Sequence, residues 1–141
     1  MFLPTTTALR IITVLDRGVP NRECIAMRTY EEINLQNYIL GLGVTGDNVL
    51  ATALNGYVYY FVDVLVPMGS WVFVLTGSGQ TRVSTVPPVN DIAFTYYWGS
   101  PTVLFAQPEV VPLLFRVCEM NFPDSPKPTL PAPQAQLTAP K

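Results

Sequence analysis

Turn-forming residues interrupt this chain so often that few segments between them are long enough for a helix. Asp16-Arg17-Gly18-Val19-Pro20-Asn21, Gly46-Asp47-Asn48, Asn55-Gly56, Pro67-Met68-Gly69-Ser70, Gly77-Ser78-Gly79 and Pro87-Pro88 separate short apolar stretches rich in Val, Ile, Thr, Tyr and Phe. No window of about 11 residues shows helical periodicity, whereas strands spaced by such signals every 8 to 12 residues or so indicate a sandwich or barrel. The expected strands are 8–15, 23–30, 49–54, 57–66, 71–76, 80–86, 92–98, 102–106 and 111–119, together with 33–44. In that last stretch Ile33 and Leu35 share one phase and Tyr38, Leu40 and Leu42 the other, so a bulge or break belongs near Asn37. Asn55-Gly56 is the strongest hairpin signal. The expected fold is all-β: a β-sandwich, jelly-roll-like, of about nine or ten short strands, its strand order open.

The C-terminus changes character. From Asn121 the sequence runs NFPDSPKPTLPAPQAQLTAPK, which suits neither ladder nor helix and favours polyproline II. At about 3.1 Å per residue it could extend roughly 65 Å, against about 35 Å for a compact body of this size. The expected organisation is an N-terminal arm over 1–7, a β-sandwich domain over 8–120 and an extended Pro-rich arm over 121–141.

Charge is the unusual part of the composition. Hydrophobic residues make up 49% and aromatic residues 11% of the 141 positions, but charged residues only 13%, where a soluble domain carries about 25%. Spread over the roughly 7,000 Å² of a globule of this mass, that is about one charge per 400 Å². Such a surface expects cover, from other protein or from a membrane. The membrane candidate, 57–76, has Asp63 at its centre and is broken by Pro67, Gly69 and Ser70, so two strands are expected there. The net charge is −2, every arginine lies at or before Arg116, and the only lysines are Lys127 and Lys141. No basic patch for nucleic acid can be drawn. Arginine without lysine suits a protein–protein surface. The N-terminus lacks the charged and apolar regions of a signal peptide, which implies synthesis without secretion.

Chemistry has few footholds. The chain has no histidine, which removes the commonest general base and metal ligand. Cys24 and Cys118 cannot form a zinc site alone. They could pair, although their apolar alternating surroundings favour two buried free thiols. Gly77-Ser78-Gly79-Gln80-Thr81-Arg82 lacks the Lys-Ser/Thr of a phosphate loop and suits a hairpin turn. Glu31 and Glu32, as strand neighbours, would point to opposite faces. Asp63, inside an apolar strand, would need a structural partner. Asp47, Asn48, Asn90 and Asp91 show no spaced calcium motif. No enzyme activity, cofactor or metal is expected.

The aromatic groups Tyr57, Tyr59, Tyr60 and Tyr96, Tyr97, Trp98 cannot all face a core, because adjacent strand residues alternate. Core plus partner interface is the favoured division, with a carbohydrate-stacking face as the alternative. The candidate interface comprises Phe2 and Leu3, the triplet Tyr96, Tyr97 and Trp98, and, in the C-terminal arm, Phe122, Pro126, Pro128, Leu130, Pro131 and Pro133.

A small all-β body, sparse charge, no catalytic constellation and a Pro-rich arm together resemble tailed-bacteriophage virion proteins, especially head decoration (cement) proteins. Trp71 to Gly79 is the most distinctive stretch, and no family residue is carried onto it. The resemblance implies a homo-oligomer bound to other virion proteins on a capsid lattice, located in the virion. The alternative is a carbohydrate- or receptor-binding module, possibly of a phage tail.

Overall fold

β-branched and aromatic runs pair into sheets in the computed structural model, which describes residues 7–46 and 51–124. The strands are β1 (Leu9–Leu15), β2 (Cys24–Thr29), β3 (Ile33–Asn34), β4 (Tyr38–Thr45), β5 (Ala51–Tyr60), β6 (Leu65–Val66), β7 (Trp71–Leu75), β8 (Arg82–Val86), β9 (Asp91–Tyr97) and β10 (Val110–Arg116). Only a 3-10 turn at Leu35–Asn37 is helical among the described residues. No helix there is long and apolar enough to cross a membrane. The 57–76 stretch supplies the end of β5, all of β6 and β7.

The architecture is the all-β, sandwich-like layering expected. A five-stranded sheet, β1-β2-β7-β9-β8, shares one core with a three-stranded sheet, β10-β4-β5, and the two-stranded β3-β6 ribbon adds Ile33 and Val66 to that core. Leu9, Ile25, Met27, Val72, Val74, Phe94 and Tyr96 point inward from the first sheet to meet Tyr38, Leu40 and Leu42 from the second. Their period-two spacing is what a half-buried strand requires. Most neighbours are antiparallel, but β7 and β9 run parallel. β8 therefore lies beyond β9, at the sheet edge, and its hairpin partner returns between it and β7.

Several local expectations change. Gly77-Ser78-Gly79 is no hairpin turn, because β9 separates β7 from β8. Gly79 instead makes room for the Tyr97 ring, which a Cβ at that position would overlap. Asn55-Gly56 does not reverse the chain either. Gly56 takes a left-handed φ of +84° inside β5, where the register with β4 shifts between Gly41 and Gly43. The reversal falls between β4 and β5, and Asp47 and Asn48 of its turn signal lie outside the described residues. The break near Asn37 appears as the 3-10 turn, capped by the Asn34 side chain accepting from the Gln36 N–H at 3.0 Å. Residues 102–106 form no strand, for a reason given below.

Candidate functional site

Two features of the body stand out: a buried carboxylate and an apolar groove. Glu23 has the same parity as Ile25 and Met27 and so points inward, where it is 1% exposed. Its Oε1 accepts from Thr76 Oγ1 at 2.8 Å and from the Leu104 N–H at 2.7 Å. Its Oε2 accepts from the Gly18 N–H at 2.7 Å and the Phe105 N–H at 3.0 Å. Four donors replace the water that a buried charge loses. Gly18 is needed because a Cβ there would stand 3.3 Å from the Ala106 Cα, at a φ of +75°. Arg17, next to Gly18, donates to the Val110 carbonyl at the start of β10 at 2.9 Å. Residues 102–106 thus spend backbone donors on Glu23 rather than on a ladder. This is a structural latch: no buried side-chain polar atom among the described residues lacks a partner.

The groove lies on the outward face of the five-stranded sheet. Trp71 and Phe73, alternate residues of β7, stack there with ring centres 5.7 Å apart and planes 5° apart. Their cross-strand neighbours on that face are Arg28 and Ala93 beside Trp71, and Ala26 and Thr95 beside Phe73. Arg28 lies over the Trp71 ring at 4.6 Å and pairs with Asp91 at 2.9 Å. Asp91 is therefore committed to an ion pair. Ile12 faces the opening because the register between β1 and β2 shifts between Ile11 and Thr13, and Pro87, Pro88 and Val89 form the far wall. The groove encloses about 450 Å³.

The outward face of the three-stranded sheet is apolar too. Val58 and Tyr60 from β5 and Phe115 from β10 are exposed, Tyr60 by 71%. The Phe115 ring covers Gly41, where a Cβ would stand 3.3 Å away from it.

The expected site residues distribute unevenly. Tyr96 is a core residue, edge-on to Phe61 at 5.8 Å, because its parity in β9 matches Phe94. It offers no outward ring. Trp98 is half-buried against Tyr59 at 5.6 Å. Tyr97 faces outward and accepts from Arg82 Nη1 at 3.1 Å. Phe122 is exposed. Phe2, Leu3, Pro126, Pro128, Leu130, Pro131 and Pro133 lie outside the described residues. Asp63 is neither buried nor in a strand: the chain bends there, and its Oδ1 accepts from Asn34 Nδ2 at 2.7 Å. Glu31 and Glu32 sit between β2 and β3, both lining one small polar recess with Arg116, rather than on opposite strand faces. Among the described residues no cluster of three His, Cys, Asp or Glu could hold a metal. Sequence reasoning passed over both Glu23 and the Trp71–Phe73 stack. The signals were there: an acid in phase with two core residues, and a strand, WVFVL, apolar on both faces.

Both cysteines are free, but only Cys24 is buried, while Cys118 is exposed past the end of β10. Burial pushes the Cys24 thiol up from about 9 to about 11, against a lowering hydrogen bond from Val74, with Asp16 adding slightly. Burial likewise raises Tyr38, Tyr59 and Tyr96. Between pH 9 and 11 the folded chain keeps the Cys24 proton that the unfolded chain releases. This contribution to stability is full below pH 9 and lost as pH rises through that window. The denaturant midpoint is expected to fall as pH rises from about 9 to about 11, less steeply in Cys24→Ala. At pH 8 a thiol reagent should titrate Cys118 alone in the native protein and both cysteines in urea.

Comparison of the chain with protein-family models, curated proteins and solved structures found no match.

Proposed function

We propose that this is a non-enzymatic structural assembly protein that oligomerises through its sheet faces, in the manner of a phage capsid decoration protein. One observation carries the reading. β7 is apolar on both faces, a pattern of strands covered on both sides. Yet Trp71 and Phe73 are only half-buried on the outward face, where Ile12, Arg28 and the Pro87–Val89 wall border an open groove rather than cover it. Val58, Tyr60 and Phe115 on the opposite sheet add a second uncovered apolar face, and paired apolar surfaces of this kind mark interaction sites. Virion location and capsid partners follow from the resemblance in composition and arm.

Mass photometry of the purified protein tests the proposal. A discrete oligomer that persists in high salt is expected, since apolar contacts are not screened. Tyr60→Asp and Val58→Asp should each weaken it by at least about tenfold, roughly 1.4 kcal/mol. A stable monomer that binds glycans would replace assembly by carbohydrate recognition.

A further inference from the structure

Resting on that assembly reading, we propose that the Trp71–Phe73 groove is the receptor for the Pro-rich arm, residues 125–141, of a second copy of this chain. Three observations support this occupant. The groove is apolar and aromatic, lined by two mutually stacked rings, the kind of surface that polyproline segments dock against. Its one charged pair, Arg28 with Asp91, is satisfied internally, so it favours an uncharged ligand. The stretch Pro128 to Leu137, PTLPAPQAQL, carries no charge and places Leu130 among Pro128, Pro131 and Pro133.

The route favours a second copy over the same chain. β10 belongs to the three-stranded sheet, on the layer opposite the groove. After Val117, whose N–H donates to the Asn37 carbonyl at 2.7 Å, residues 118–124 are all exposed. The chain thus departs from the body instead of turning over it. Extended, the residues after Asp124 could reach about 50 Å, more than the roughly 35 Å of the body. That length suits a neighbour. An arm with a restricted backbone loses little entropy on docking.

The test uses the full-length chain carrying the photo-crosslinker p-benzoylphenylalanine in place of Thr129, with ¹⁴N- and ¹⁵N-labelled protein mixed in urea and refolded together before irradiation so that each oligomer holds both. Crosslinks from position 129 to groove peptides containing Trp71 or Val89, joining light to heavy chains, are expected. Trp71→Ala should lower their yield about tenfold. Val89→Asp, an exposed rim change that leaves the core untouched, should do the same. Light-to-light and heavy-to-heavy crosslinks alone would mean the arm docks on its own body, and would overturn the proposal. Crosslinks confined to other surfaces would also overturn it, while an oligomer that persists in that experiment leaves the assembly reading standing. A monomeric full-length protein would remove both.

Discussion

Glu23→Ala is expected to lower the stability of the folded protein by about 4 kcal/mol, a large part of what a domain of this size possesses. The substitution strands the Leu104 and Phe105 N–H groups, the Gly18 N–H and the Thr76 hydroxyl around an apolar hole. A buried donor left without a partner costs about 1–3 kcal/mol. Glu23→Gln keeps the shape but turns one acceptor into an amide facing two donors, so about half the loss is expected. Urea unfolding should show the midpoint falling with little change in slope. A loss below about 1 kcal/mol for alanine would mean that water replaces the carboxylate and that the latch is dispensable.

Phe105→Ala should be comparably severe, at about 3–5 kcal/mol. Phe105 is fully buried although it lies in a segment with no strand, so its ring fills core volume that no ladder helps to hold. Its backbone N–H is also one of the Glu23 donors. Ring and carboxylate thus fix the same few residues. The double variant Glu23→Ala/Phe105→Ala should therefore lose less than the sum of the two single losses, by at least about 0.5 kcal/mol. Strict additivity in urea unfolding would show that side chain and latch act independently.

The legible part of the fold was the part written in local alternation. Ile25 and Met27, Val72 and Val74, and the phase change before Tyr38 all appear where a period of two places them. Topology was not legible, because nothing in Gly77-Ser78-Gly79 says whether the next strand pairs at once or leaves room for another. Asn55-Gly56 misled for a related reason: the left-handed glycine is real, but β5 absorbs it as extra residues between its pairings with Gly43 and Gly41. Val103, Leu104 and Phe105 look like strand residues, yet backbone donors of Leu104 and Phe105 are claimed by Glu23, which lies far away in sequence. Of the candidate interface, Tyr96 failed on parity alone. The groove was missed because Trp71 and Phe73 were read together with the rest of WVFVL as an ordinary strand.

The placement of β9 between two earlier strands bears on how the chain can be made. As it emerges from the ribosome, β7 and β8 are present before the strand that joins them into one sheet. Two of the four donors for the Glu23 carboxylate, the Leu104 and Phe105 N–H groups, come later still, and Arg17 must wait for a carbonyl 93 positions downstream. β10 then completes the second sheet against β4. Contacts so distant in sequence slow closure. A nascent chain or truncation product ending before β10 leaves the β4 edge open, and one ending before Leu104 also leaves Glu23 short of two of its four donors. Such fragments have no resting state of their own, and proteolysis or aggregation awaits them. The sheets and the Glu23 latch can therefore be completed only when nearly all of the body is already in hand.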